Sequence, residues 1–172
     1  MIKRLFMSIM GTMILLSGFG QATTPPCICC TEEYKQFDFW IGDWVVYSDG
    51  IMVGFNKITK MVETDCVLRE SWKSVVSSHS GTSMNYYDKA IRKWRHVWVG
   101  NDGIVVDVKG TFKDNKMVMT SDEVIDEKGN RVIQKVTWIK NADGTIRQTW
   151  EQSTDGGLAF TVKWDGLYRK RK

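Results

Sequence analysis

The feature that most restricts this chain is the spacing of its turn signals. Asp49-Gly50, Asn101-Asp102-Gly103, Asp114-Asn115, Lys128-Gly129-Asn130, Asp143-Gly144 and Asp155-Gly156-Gly157 interrupt short runs rich in Val, Ile, Thr and aromatic residues. Gly, Asn and Asp accept the positive φ angles of tight hairpins, so each cluster predicts a reversal between neighbouring antiparallel strands. The predicted strands cover 39–48, 51–62, 65–75, 82–88, 93–100, 103–112, 115–124, 131–140, 145–152 and 158–169. One short helix is predicted at 31–37, where Thr31 is placed to cap it and Glu32 and Glu33 suit the positive helix start. About ten strands in one meander leave two unpaired edges unless the sheet closes, so the expected fold class is all-β, a closed barrel.

The first 22 residues carry a different message. Lys3 and Arg4 precede an apolar run from Leu5 to Leu16, and Gly20 and Ala22 supply the small residues of a cleavage site. That pattern predicts a secretory signal peptide over 1–22 and an exported protein, periplasmic or extracellular. The apolar run falls short of the ~20 residues of a membrane-spanning helix, and no later run approaches it, so no span is expected after cleavage. A lipid anchor on Cys27 is disfavoured by Thr24, Pro25 and Pro26 ahead of it. Processing leaves 150 residues, enough for one domain with a sizeable core: a leader and short helix at 23–36, then a barrel domain at 37–172.

Net charge falls from +4 to +2 on processing, because Lys3 and Arg4 leave with no acidic residue. The remaining basic bias sits in Arg169-Lys170-Arg171-Lys172, read as a solvated tail. No basic stripe interleaved with aromatics accompanies it, so nucleic acid is not an expected partner. Cys27, Cys29, Cys30 and Cys66 are candidates for disulfides in an oxidising compartment, with three connectivities open. A thiolate metal site at "CICC" is the alternative; no histidine lies nearby and the spacing is unlike structural zinc, so no metal is expected.

A helix followed by Gly42-Asp43-Trp44 at the head of the first strand resembles the lipocalin and calycin barrels. In those barrels the motif's Trp plugs the closed end under a late-strand Arg, here Arg147 or Arg169, by cation–π stacking. The segments "QFDFWIGDW", "CVLRESW", "SMNYYDKAIRKWRHVWVGNDG" and "VTWIKNADGTIRQTWEQSTDGG", with the closing Tyr168-Arg169, resemble more narrowly a bacterial family of exported lipocalin-like domains of unknown function. The resemblance spans about 37 to 169 and implies a lipocalin-like barrel and export, but no reaction. Lys135 and His96 stand where that family often has Arg and Gln, so roles needing a guanidinium or amide there do not carry over.

Alternation sorts side chains between lumen and exterior. Leu68, Glu70, Trp72 and Ser74 share one face, as do Trp94, His96 and Trp98, and Ile146, Gln148, Trp150 and Gln152. For 82–88 the inward set is either Ser83, Asn85 and Tyr87 or Met84 and Tyr86. The expected ligand-binding residues are Glu70, Trp72, Asn85, His96, Trp98, Gln134, Gln148 and Trp150. Flat aromatic walls with a few directional polar groups suit a planar or amphipathic small molecule rather than a fatty-acid tail. The leading expectation is therefore a non-catalytic, exported binding barrel of unknown ligand that requires no cofactor.

Three alternatives stand beside it. Glu70 and His96 are candidate catalytic residues as an acid/base pair, although no nucleophile elbow, zinc motif or phosphate loop accompanies them. A filled barrel acting as an interaction module is the second; Val97 and Val99 then leave an outer apolar stripe through which copies pair, and His79 is solvent-exposed in its loop. A heme ligated by His96 is the third.

Overall fold

The computed structural model describes residues 27 and 29–172; the expected signal peptide and its cleavage site lie outside the described residues. A short helix α1 (Glu32–Lys35) and a single 3-10 turn (Asp38–Trp40) lead into eleven strands. These are β1 (Gly42–Ser48), β2 (Ile51–Lys60), β3 (Val67–Ser74), β4 (Ser80–Asp88), β5 (Lys93–Gly100), β6 (Val105–Lys113), β7 (Lys116–Thr120), β8 (Val124–Ile125), β9 (Arg131–Lys140), β10 (Ile146–Ser153) and β11 (Thr161–Lys170). All strand pairings are antiparallel, from β1–β2 round to β10–β11, and β11 pairs back onto β1. Ten strands thus close a barrel with no free edge, while the two-residue β8 only extends the β9 hairpin.

The turn chemistry works as expected. Asp49 and Gly50, at φ 49° and 78°, join Ser48 to Ile51, and Asp114 and Asn115, at φ 51° and 59°, join Lys113 to Lys116. Two consecutive positive φ values give the hairpin turn whose twist matches that of the flanking strands. Side-chain alternation then does the rest. In β7, Met117 and Met119 point into the core while Val118 faces outward.

The helical prediction needs two corrections. Only four residues form α1, and Thr31 sits at its N-cap position without making a side-chain cap bond. Residues 39–41, expected to open the first strand, belong instead to the 3-10 turn and its exit, because Phe37 and Trp40 are drawn into the barrel end. Both rings are fully buried and stack at 5.0 Å between centroids, with Trp138 packed edge-on to Phe37 and tilted against Trp40. The indole of Trp94 donates to the carbonyl of Glu33 at 3.0 Å, tying α1 to β5.

The opening motif is explained by this closure. Trp44 is buried, and its Nε1 donates to the carbonyl of Trp40 at 2.9 Å, clamping the 3-10 turn to β1. The cation above its ring is Lys170, 4.1 Å from the ring centroid, rather than Arg147 or Arg169. Arg147 instead pairs with Asp165, its diagonal neighbour on β11, and Arg169 lies over Tyr47. A Cβ at Gly42 would collide with Lys170 Nζ, so the glycine makes room for the ammonium. The basic terminus is therefore not simply a solvated tail: Lys170 Nζ donates to Ile41 O at 2.8 Å, and Arg171 stacks on Phe55.

The cysteines pair as Cys27–Cys30 and Cys29–Cys66. The second bond ties the leader to the residue just before β3. Among the described residues no cluster of His, Cys, Asp and Glu has metal-site geometry, and no helix is long and apolar enough to cross a membrane.

Candidate functional site

Three strands repeat the same inward triplet, read from the closed end outward: Leu68-Glu70-Trp72 on β3, Trp94-His96-Trp98 on β5 and Ile146-Gln148-Trp150 on β10. Because inward positions recur every second residue, these triplets stack into a packed apolar layer, a polar layer and an aromatic layer. Above the polar layer lies a cavity of about 390 Å³. Its upper wall is Trp72, Trp98, Trp150 and Trp164, and its rim is built by the β3–β4 and β5–β6 loops with Lys163. At the rim His79 Nε2 lies 3.6 Å from Asp102 and its ring tilts over Trp98, so His79 is part of the mouth rather than an isolated loop residue.

Two glycines let these rings lie against the wall. A Cβ on Gly54 would meet Trp72 at 2.5 Å, and one on Gly81 would overlap the Trp98 ring. A bulge between Trp150 and Glu151 in the β10–β11 pairing adds local twist beside Trp150, near the mouth.

The floor is one connected network. Glu70 accepts from Asn56 Nδ2 at 2.6 Å on one oxygen and from Ser83 Oγ at 2.5 Å on the other. Asn85 Nδ2 donates to Ser83 Oγ at 2.9 Å and to Leu68 O at 3.2 Å. Its Oδ1 therefore faces His96 Nδ1, 2.6 Å away. An amide oxygen only accepts, so His96 carries its proton on Nδ1 and presents a bare Nε2. On the other side Tyr168 donates its hydroxyl to Gln148 Oε1 and lies 3.4 Å from Asn56 Nδ2. The inward set on β4 is thus Ser83, Asn85 and Tyr87.

Burial sets the charge states. Glu70 is 3% exposed, and desolvation lifts its carboxyl to about 7 against the pull of the Ser83 and Asn56 hydrogen bonds. No Lys or Arg forms an ion pair with it among the described residues. Desolvation pushes His96 down to about 3, so the imidazole stays neutral at ordinary pH. Burial, and next the Glu70 charge, raise the Tyr168 hydroxyl above its usual range.

Of the eight expected ligand residues, Glu70, Trp72, His96, Trp98, Gln148 and Trp150 line the cavity. Asn85 is fully buried behind His96, and Gln134 lies behind Trp150, whose Nε1 donates to it at 2.7 Å. These two orient lining residues. Trp164 and Tyr168 were missed, although the inward parity of β11 could have been read from Trp164, Gly166 and Tyr168. Asn56 and Ser83 were missed as carboxylate partners, since cross-strand register is what joins them to Glu70. Glu70 and His96 are brought to one floor, joined through Ser83 and Asn85. Comparison of the chain with protein-family models and with curated proteins gives no match.

Proposed function

We propose that this chain is an exported binding protein of the lipocalin-like kind, which holds a small planar or amphipathic molecule in the barrel lumen. The observation that carries this reading is the cavity itself: four partly exposed indoles stand over a hydrogen-bonded polar floor, with one mouth at the surface. A barrel that served only as a solid scaffold has no use for that arrangement, because filling the upper layer with aliphatic side chains would bury more apolar surface. The space fits one small ligand, and its polar groups supply orientation rather than bulk affinity. The paired cysteines and the amino-terminal apolar run support export.

Native mass spectrometry of mature protein, purified from a periplasmic extract without refolding, tests both parts. A mass excess that disappears on denaturation supports a resident ligand and gives its mass. Bare protein, with tryptophan fluorescence unmoved by small-molecule fractions of the same extract, would overturn the lumen reading.

A further inference from the structure

The floor of the lumen is unbalanced in its hydrogen-bonding groups. Glu70 has two oxygens with capacity beyond the bonds from Asn56 and Ser83, and His96 offers Nε2; behind the lining, Asn56 Oδ1 is buried and accepts no hydrogen bond from the protein. Against these acceptors, the donor at the floor is the neutral Nε2 amide of Gln148, whose Oε1 takes the Tyr168 hydroxyl, and no positive charge stands there. A buried carboxylate with no cation beside it is costly, and its natural complement is a positive charge that brings its own N–H donors. Directly above stand the faces and edges of Trp72, Trp98, Trp150 and Trp164. Indole rings attract cations through their quadrupole, most strongly where water is excluded.

We infer that the lumen selects an organic ammonium: a protonated amine on a compact apolar or aromatic body, with its N–H groups on Glu70 and the His96 Nε2 and its body between the tryptophans. This rests on the lumen being a binding site at all, and it adds the charge of the ligand. Anionic and fatty-acid ligands are disfavoured by the same carboxylate. The one cation in the wall, Lys163, is an exposed rim residue and is left to solvent.

Three probes of one shape separate the possibilities: phenethylamine, phenethyl alcohol and phenylacetate, titrated by calorimetry into the mature protein at pH 8. The inference expects the amine to bind about tenfold or more tighter than the alcohol, and the acid not to bind. Glu70→Gln, which keeps the shape of the floor, should erase the preference for the amine while leaving binding of the alcohol. The unaltered protein supplies a second readout. Glu70 faces Asn56, Ser83, Tyr168 and, through Asn85, His96; the rim adds His79, Asp102 and Lys163. His96 and Tyr168 do not change charge between pH 6 and 8. Amine affinity should therefore rise across that range as Glu70 ionises, with proton release, and should do so equally in His79→Gln. Amine and alcohol binding alike, with no effect of Glu70→Gln, would overturn the ammonium assignment and leave the lumen reading standing. If none of the three binds at millimolar concentration, the ammonium assignment fails, and the lumen reading is decided by the native mass of the purified protein.

Discussion

At the closed end of the barrel Trp40, Trp94 and Trp138 are at most 1% exposed, and they pack around Phe37, Trp40 stacked and the other two edge-on, into a continuous aromatic plug. At the open end Trp72, Trp98, Trp150 and Trp164 keep part of each ring accessible, with Trp72 and Trp164 edge-to-face at 5.7 Å. One residue type thus serves two purposes, and on β5 it does so four residues apart, at Trp94 and Trp98. What differs is the neighbour. The plug has the 3-10 turn and α1 folded into it, whereas the mouth has only loops around it, which bring Val76 and Ile104 to the cavity beside polar groups. Tryptophan count alone says nothing of which end binds and which holds the fold together.

Truncation should separate the two ends most sharply. Trp138→Ala removes a fully buried ring in contact with Phe37, Trp40 and His96, and should cost about 3–5 kcal/mol in urea denaturation. Trp98→Ala, partly buried at the mouth, should cost about 1–2 kcal/mol and mainly weaken ligand binding. Equal losses at the two positions would break the comparison.

Between the ends, the polar layer should set the pH dependence of stability. The folded state holds Glu70 near 7, above the ordinary carboxyl value of 4.5, so it binds a proton that the unfolded chain has already released. Its contribution to stability is present at low pH and is lost as pH rises from about 4.5 to 7. His96 works in the opposite sense: held near 3 against 6.5, it contributes stability above 6.5 that is lost as pH falls toward 3. Glu70→Gln should therefore match the parent near pH 4.5 and exceed it by about 3 kcal/mol above pH 7. Denaturation at pH 4.5, 6 and 8 checks this, and parallel profiles for the two proteins would refute it.

How much of this is legible in the sequence follows from the same layers. Alternation of period two places Glu70 with Trp72 and His96 with Trp98 from local pattern alone, and the Asp, Asn and Gly clusters mark the reversals. Closure follows because ten strands need it. Three things are not local. Asn56 meets Glu70 only through the β2–β3 register, the Asn85 amide is hidden behind His96, and the cation above the Trp44 ring depends on where the last strand ends. A one-residue change in that last register exchanges Arg169 for Lys170, which is why the cation expected there was the wrong one.

Glycine at the mouth offers a smaller, more local probe. Gly81 has no Cβ to meet Trp98 and the Val99 carbonyl, the latter 2.6 Å from the position a Cβ would take. Gly81→Ala should shift the ring into the lumen, costing about 1–3 kcal/mol, with a changed tryptophan emission and weakened ligand uptake. An alanine tolerated without either change would mean that the mouth rings are free to move, unlike those of the plug.

The smallest effect belongs to the outer cover of the plug. Lys170 lies 4.1 Å from the centre of the Trp44 ring and donates to Ile41 O, so its charge is held over a buried indole from the solvent side. Lys170→Met keeps the stem and removes the charge; the expected loss is about 0.5–1 kcal/mol, the range for an exposed cation–π pair. Lys170→Arg should restore it, because a guanidinium reaches the same ring face and retains donors for the Ile41 carbonyl. The loss should shrink in high salt while ligand binding is unaffected, because the mouth lies at the other end of the barrel. If Lys170→Met instead alters binding, the two ends are coupled through β11, which runs from Trp164 at the mouth to Lys170 at the plug. In that case the plug would tune the site as well as hold the fold.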